Sequence, residues 1–326
     1  MAPAVFRSSS TPSRRRAVVI ASLTSVGVVA LLLTPLPRIG RVSEAGLNLL
    51  HAPVFAGLTI LLLRVVVQPE FRSRRVRTIA VAFLLLLLGV ATEYGQTFVG
   101  RNTDWRDVLA NALGIAAGLA WFLLLDSNSA PRRAAGYAIA SVLLLLASWQ
   151  PVGVLFDHVA QRREIPVIAS FESARELSRW AGYDADITRV QLHATHGDWS
   201  LRVDLHADEY PGAALRWPVP DWSDHECLSL DLVLEEGPPL DVIVKIEDEA
   251  HSGEYEDRFH QVVHLMPGTS HVEVVLSNVA KAPATRMLDL RRISLLQLFV
   301  VRPGRKRTFM VDNIRLKSCA ANPIDR

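Results

Sequence analysis

The chain has 326 residues, which is room for two domains, and half of them are hydrophobic. Its formal net charge at pH 7 is only +2, and the sequence has no basic face with interleaved aromatic residues, so no nucleic-acid partner is expected. Long runs of Leu, Val and Ala fill the chain up to about residue 150, and short alternating patterns follow. The sequence therefore predicts an α-helical membrane domain followed by a domain in water.

Five apolar segments between residues 17 and 150 are long enough to cross a bilayer as helices. They are 17–34, 47–67, 78–98, 107–125 and 133–149. Residues 1–16 are rich in Ser, Pro and Arg, which is typical of a disordered N-terminus. A signal peptide is the competing interpretation of the first segment, but no small-residue cleavage site follows it and further spans do.

Arginine is concentrated on one side of these spans, and its excess over Lys is typical of a GC-rich bacterial genome. The larger group is Arg14, Arg15, Arg16, Arg72, Arg74, Arg75, Arg77, Arg132 and Arg133, and the smaller is Arg38, Arg41, Arg101 and Arg106. Arginine-rich loops stay in the cytoplasm. The sequence therefore predicts a multi-pass protein of the bacterial inner membrane, with its N-terminus in the cytoplasm and residues 151–326 outside.

Polar residues inside the predicted membrane domain form an ordered pattern. They are His51, Glu93, Gln96, Arg101, Asp104, Asp107 and Asn111. Asp104, Asp107 and Asn111 are spaced by three and four residues, so they share one helix face. Gly114 and Gly118 continue that face as a G-x-x-x-G motif, which lets another helix pack closely. In the predicted orientation all these polar residues can meet at the outer surface.

Three interpretations of the polar residues remain open. In the first they only hold helices together, with Arg101 paired to a carboxylate, Asp104 capping a helix and Asn111 bonding across an interface. In the second they bind the polar head group of an amphiphile, such as a lipid-linked saccharide or a drug. In the third, Glu93 and Asp107 perform acid–base catalysis together with the histidine. No nucleophile motif or metal-ligand spacing accompanies them.

The motif runs Glu93-x2-Gln96-x4-Arg101-x2-Asp104-x2-Asp107-x3-Asn111-x2-Gly114-x3-Gly118. It resembles the signature of VanZ-like membrane proteins, and His51 resembles the histidine of that family's earlier helix. The resemblance covers roughly residues 15–150. The family is named for a link to glycopeptide (teicoplanin) resistance, and its biochemical activity is not established. The resemblance thus implies a membrane protein of the cell envelope and names no reaction.

The second half of the chain has the pattern of an all-β domain. Residues 151–165 are predicted to connect the two halves, 166–317 to form a β-sandwich and 318–326 to form a tail. Short alternating runs and the turns between them define the strands. The predicted strands are 167–172, 201–205, 214–219, 228–234, 240–247, 259–265, 271–276, 295–301 and 309–316, with one helical turn at 288–292.

Short motifs in this half, among them HGDWSLRV at 196–203 and VDNIRL at 311–316, resemble galactose-binding-like jelly rolls. Carbohydrate-binding modules share that fold, although the fold does not decide the ligand. The resemblance implies a structural calcium held by Glu172 and Asp312, since carboxylates suit that cation. The alternative is that Asp312 only completes a turn.

A set of aromatic and directional polar residues is typical of a surface that binds sugars. The predicted glycan face consists of Trp217, Asp248, His251, Tyr255 and Arg258. The alternative is that the aromatic members belong to the core or the rim of the sandwich.

The two cysteines, Cys227 and Cys319, both lie in the half that is predicted outside, where a disulfide can persist. In jelly rolls the strands beside them are expected to be antiparallel neighbours, so the resemblance implies a bridge between them. Free thiols, one buried and one on the tail, are the alternative.

These patterns predict an envelope protein that binds a glycan, a lipid-linked saccharide or a glycopeptide. The alternatives are an envelope enzyme that acts on a lipid-linked or cell-wall substrate, and a structural anchor that displays an adhesion domain.

Overall fold

The structure is a computed structural model, and it divides into two compact units, residues 1–156 and 157–326. The residues that it describes are Val19, Leu23, Thr24, Gly27, Val28 and the ranges 40–66, 73–97, 105–125 and 128–319. The predicted fold class, a helical membrane domain followed by a jelly-roll sandwich, is confirmed.

Four described helices are long and apolar enough to cross a membrane. They are α1 (Arg41–Val66), α2 (Arg74–Thr97), α3 (Trp105–Leu125) and α4 (Ala130–Glu164). The prediction was five spans, and most of the first one, 17–34, lies outside the described residues. The chain is a membrane protein by the length and composition of these helices.

Local signals explain two of the helix starts. Ser73 precedes α2, and its side-chain oxygen accepts a hydrogen bond from the Val76 N–H at 3.4 Å, as an N-cap residue does. Before α1, the carbonyl of Gly40 accepts hydrogen bonds from Ser43 and Glu44 at 3.1 and 3.2 Å. Helix α1 therefore begins at Arg41, six residues before the predicted span.

Helix α4 is longer than a bilayer requires. Its 35 residues extend about 52 Å at 1.5 Å per residue, whereas the hydrocarbon core is about 30 Å thick. It continues through Pro151, so the predicted connector 151–165 is helical almost to its end. Within the second unit, Asp157 of this helix pairs with Arg179 (Oδ1–Nη2 2.9 Å), and Glu164 pairs with the same guanidinium at 3.0 Å.

Glycine lets α1 and α3 pack closely in the membrane unit. A Cβ placed on Gly114 would lie 2.3 Å from the carbonyl oxygen of Ala52, and one placed on Gly118 would lie 2.7 Å from that of Ala56. Both contacts are with backbone, so only glycine permits this approach of the two helices. The matched order of the contacts also shows that α1 and α3 run parallel.

The second unit contains eleven strands and two short helices among its described residues. The strands are β1 (Val167–Ala169), β2 (Trp180–Tyr183), β3 (Ala185–Val190), β4 (Ser200–Leu205), β5 (Gly212–Arg216), β6 (Cys227–Leu234), β7 (Leu240–Asp248), β8 (Phe259–Leu265), β9 (Gly268–Val275), β10 (Ile293–Phe299) and β11 (Arg307–Lys317). The helices are α5 (Ala174–Leu177) and α6 (Leu276–Lys281).

All the paired strands are antiparallel, and they form two sheets. The first has the order β3-β4-β11-β6-β9, with β1 also paired to β11, and the second has the order β2-β5-β10-β7-β8. Strand residues alternate between core and surface, as the period of two requires. In β4, Leu201, Val203 and Leu205 are buried, whereas Arg202 and Asp204 face outward and pair with each other at 2.9 Å. Both sheets contribute to one hydrophobic core, which contains the fully buried Trp222.

The structure corrects several predicted elements. Strand β1 ends at Ala169 instead of residue 172, because Phe171 has a positive φ of 60° that breaks the strand. Strands β2 and β3 were not predicted. The predicted helical turn at 288–292 is a single hydrogen-bonded turn, in which the Arg292 N–H donates to the Asp289 carbonyl at 2.9 Å.

Candidate functional site

Five buried polar side chains from three helices meet in the membrane unit. His51 lies on α1, Glu93 and Gln96 lie on α2, and Asp107 and Asn111 lie on α3. Each of them is at most 6% exposed. We call this set the membrane polar cluster. Its members face the interior of the helix bundle, where polar groups in a membrane usually have a function.

The distances within the cluster are short. His51 Nδ1 lies 3.0 Å from Asn111 Oδ1 and 3.8 Å from Glu93 Oε1. One ligand-type atom each of His51, Glu93 and Asp107 lies within 4.8 Å of the others. Two carboxylates and an imidazole therefore share one small buried volume. Such a set can bind a cation, accept hydrogen bonds from a ligand or move a proton.

The cluster lies near one end of the helices. Glu93 is four residues before the end of α2, and Asp107 is two residues after the start of α3, which corresponds to about 6 and 3 Å along the axes. His51 is ten residues into α1, or about 15 Å from its start. The polar groups are thus close to the side where α2 ends and α3 begins.

In the second unit, five outward-facing residues form a row across all five strands of the β2-β5-β10-β7-β8 sheet. Register places Ala181, Ala214, Gln297, Lys245 and His260 side by side in that order. Their neighbours along each strand point into the core, so the row itself faces away from it. Small residues occupy the β2 and β5 end of the row, and polar residues occupy the rest.

Mostly buried polar groups form the centre of this face. The Lys245 ammonium lies 2.6 Å from Glu247 Oε1, and His251 Nε2 lies 3.0 Å from the same oxygen. The three side chains are 12–14% exposed, and the shared Glu247 oxygen is itself buried. This oxygen therefore holds Lys245 and His251 in place.

An exposed tyrosine lies beside these groups. Tyr255 is 58% exposed, and its hydroxyl lies 2.6 Å from His260 Nε2. The Arg258 guanidinium lies over the tyrosine ring, 4.8 Å from its centroid. Burial, and then the charge of Arg258, lower the pKa of His260. A neutral His260 therefore accepts a hydrogen bond from the tyrosine hydroxyl at Nε2 and keeps an N–H donor at Nδ1. We call Lys245, Glu247, His251, Tyr255 and His260 the sheet-face cluster.

Comparison with known families identifies the membrane unit. Residues 3–126 match the VanZ/LLP1 family model. The match covers the three helices that carry the membrane polar cluster, and the resemblance drawn from the sequence motif is thereby confirmed. The chain thus has a VanZ-like domain followed by a β-sandwich. No curated protein matches the chain.

Solved structures resemble the β-sandwich only loosely. A family 11 carbohydrate-binding module from Clostridium thermocellum, in complex with a β-1,3-1,4-mixed-linked tetrasaccharide, is 17% identical with a TM-score of 0.39, and the match covers 48% of this chain and 97% of that one. A xylan-binding domain from family 22 is 15% identical with a TM-score of 0.33, over 47% and 96%. An exo-β-agarase is 18% identical with a TM-score of 0.40, over 49% of this chain and a quarter (25%) of that one. These values leave the ligand of this chain open.

Some of the predicted residues of the VanZ-like domain can be placed and others cannot. The motif of that family predicted seven polar residues, and five of them form the membrane polar cluster. Arg101 and Asp104 lie outside the described residues, so their part in the cluster stays a prediction. Gly114 and Gly118 lie against α1 as given above.

The predicted glycan face is only partly assembled in the sandwich. His251, Tyr255 and Arg258 lie at the sheet-face cluster. Asp248 is 1% exposed and accepts a hydrogen bond at 2.7 Å from Arg286. Burial alone would raise the pKa of Asp248, but the hydrogen bonds from Arg286 and from the backbone outweigh it and hold that pKa below its ordinary value. Asp248 is therefore occupied in a structural ion pair.

Trp217 lies at the end of β5, half-buried, with a positive φ of 57°. Its N–H donates to the Ser294 carbonyl on β10 at 2.9 Å, so one strand separates it from β7. Strands are about 4.8 Å apart, which puts the Trp217 backbone about 10 Å from that of β7. Lys245, Glu247 and His260 were not predicted, because only the pairing of β7 with β8 and β10 brings them together.

The predicted calcium ligands both hold the loop before β4. Asp312 is fully buried and accepts the N–H groups of Thr195 and His196 at 2.7 and 2.9 Å. Burial raises the pKa of Asp312 and outweighs these donors. Glu172 accepts two further N–H groups of the same loop, each at 2.9 Å. N–H groups occupy the carboxylate oxygens that would coordinate a cation, so these residues do not fit calcium in this arrangement. Calcium binding stays a prediction.

The two cysteines form a disulfide in this structure. Cys227 at the start of β6 is joined to Cys319, just beyond the end of β11, and their Cα atoms are 5.1 Å apart. The register pairs Cys227 with Lys317, which brings the two ends together. The bridge closes a segment of 92 residues.

Proposed function

We propose that this chain is a protein of the bacterial cell envelope that binds a glycan through the sheet-face cluster of its sandwich. The ligand class is a polysaccharide, a lipid-linked saccharide or a glycopeptide. The observation that carries the proposal is the set of ordered polar side chains on one sheet face beside an exposed tyrosine. The VanZ-like domain of the same chain anchors the protein in the membrane.

The chemistry of the cluster suits sugar hydroxyl groups, which both donate and accept hydrogen bonds. Lys245 donates while Glu247 holds it in place, and a neutral His260 offers a donor while Tyr255 occupies its other nitrogen. Low exposure restricts the rotation of these side chains before a ligand arrives, which reduces the entropy lost on binding. Tyr255 adds an exposed aromatic ring for the apolar face of a sugar.

The proposed position of the sandwich is outside the cytoplasmic membrane. Arginine is concentrated on the opposite side of the spans, and positively charged loops stay in the cytoplasm. The disulfide between Cys227 and Cys319 supports the same side, because such bonds persist in oxidising compartments. Glycans of the envelope are on that side.

The test uses the purified full-length chain in lipid nanodiscs. Binding is measured against peptidoglycan fragments, a lipid-linked cell-wall precursor, teicoplanin and soluble polysaccharides. We expect one of these classes to bind and Tyr255→Ala to weaken its binding at least tenfold. Tyr210→Ala is the matched control, because Tyr210 is also half exposed (50%) and lies on a different loop.

Equal binding by the two tyrosine variants, or no binding by the intact chain to any class, would contradict the proposal. The same incubations are examined for turnover of the lipid-linked precursor. Consumption of the precursor by the intact chain would favour an envelope enzyme instead.

A further inference from the structure

We propose that His51, Glu93 and Asp107 of the VanZ-like domain bind a divalent transition-metal ion, with Asn111 as the fourth ligand. The site is separate from the sheet-face cluster, and the inference does not depend on glycan binding. Within the described part of the chain, these three residues are the one set of three His, Cys, Asp or Glu side chains that converge closely enough to hold a metal.

The spacing of the ligand atoms fits a first-row metal. Metal–ligand distances for zinc with nitrogen and oxygen are about 2.0–2.2 Å, which separates neighbouring ligand atoms by about 3.0–3.5 Å. His51 Nδ1 is 3.0 Å from Asn111 Oδ1 and 3.8 Å from Glu93 Oε1. The widest separation among the three principal ligands is 4.8 Å, which small rotations of the carboxylates would close. One imidazole with oxygen ligands suits Zn²⁺ or Mn²⁺.

A divalent cation would be attracted to the two carboxylates at this position, which lie within 4.8 Å of each other. Glu93 is 3% exposed and Asp107 is 6% exposed, so water would screen that attraction weakly. The histidine would bind the ion through the lone pair of a ring nitrogen.

Asn111 places a further oxygen donor at this position. Its side chain is fully buried, and its Oδ1 lies 3.0 Å from His51 Nδ1. When both atoms bind the ion, this distance is the separation of two adjacent ligands and replaces the hydrogen bond between them.

A metal could reach this site from water. Glu93 and Asp107 lie about 6 and 3 Å from the helix ends on the same side of the unit. The ion would therefore enter without crossing the hydrocarbon centre of the bilayer.

The experiment loads the full-length chain, with any affinity tag removed, in detergent. The protein is stripped with a chelator, incubated with Zn²⁺ or Mn²⁺ alone, and freed of excess metal by gel filtration. Mass spectrometry of the metal should give one ion per chain. Glu93→Gln and Asp107→Asn should each weaken binding at least tenfold. Glu44→Gln is the matched control, because it is the same chemical change at a residue that lies exposed on α1.

X-ray absorption spectroscopy of the zinc-loaded wild-type chain identifies the ligand types without any substitution. One imidazole and otherwise oxygen donors at about 2.0–2.1 Å are expected. Less than a tenth of an ion per chain with both metals, a shell with several imidazoles, or unchanged binding by a folded Glu93→Gln chain would each overturn the proposal. If the carboxylate variants fail to fold, the stoichiometry and the absorption spectrum still decide.

Discussion

Replacing Gly114 by alanine should separate α1 from α3 and destabilise the membrane unit. The new Cβ would lie 2.3 Å from the Ala52 carbonyl oxygen and 2.8 Å from the Ala52 Cα. Ordinary contact begins near 3.4 Å, so the helices must move apart by about 1 Å. Both obstructing atoms belong to the backbone and cannot rotate away.

Two opposing effects determine the change in the free energy of unfolding. Overpacking of this kind costs about 1–3 kcal/mol. Alanine in place of glycine inside a helix stabilises it by about 0.8–1 kcal/mol. The net result for Gly114→Ala is a loss of about 0–2 kcal/mol, toward the upper end because both obstructing atoms are backbone. Gly57→Ala on α1 provides the control, since a Cβ there meets no atom within 4 Å and only the favourable effect applies.

Unfolding of the full-length chain in increasing fractions of sodium dodecyl sulfate, followed by the helical circular dichroism signal, measures the difference. We expect Gly114→Ala to unfold at a lower detergent fraction than wild type and Gly57→Ala at an equal or higher one. Coincident curves for the two variants would show that α1 and α3 do not pack closely at Gly114.

Two further predictions concern the sandwich. Cys227→Ser should lower the free energy of unfolding by about 4 kcal/mol in the chain-entropy account, because the bridge closes 92 residues. Chemical unfolding measures this loss, and a midpoint equal to that of wild type would refute the prediction. Hydrogen bonds from Arg286 and from a backbone N–H lower the pKa of Asp257 to about 2 from its ordinary 3.8. Its contribution to stability is therefore fully present above pH 4 or so and is lost as pH falls through about 2. Thermal midpoints between pH 4 and 2 should fall less steeply for Asp257→Asn than for wild type, and parallel slopes would contradict this.

The sequence predicted elements whose signal is local. The predicted span 107–125 corresponds to Trp105–Leu125, because a continuous apolar run determines the membrane helix by itself. Strand β8 was predicted at its observed bounds, Phe259–Leu265, since turns flank it on both sides. Strand β2 was missed because its four residues include Gly182 and read as a turn. Only pairing with β5 makes that segment a strand.

The site residues also divide into those that a local pattern predicts and those that only the fold brings together. Helical spacing alone placed Asp107 and Asn111 on one face, and the structure brings them to His51 on another helix. By contrast, the partner of Asp248 is Arg286, 38 residues further on, and no local sequence pattern indicates that pair. The glycan face predicted from residue types therefore included a carboxylate that the fold uses internally.

The ion pairs of Arg179 determine where the sandwich can be cut from the membrane domain. Its side chain is only 2% exposed, and its guanidinium is held by Asp157 and Glu164 on the last turns of α4. A soluble fragment that starts at residue 166, where the sequence pattern changes, would delete both carboxylates and therefore both ion pairs. Fragments for glycan binding or crystallisation should therefore begin no later than residue 157, so that the protein keeps the final turns of the helix as part of its sandwich.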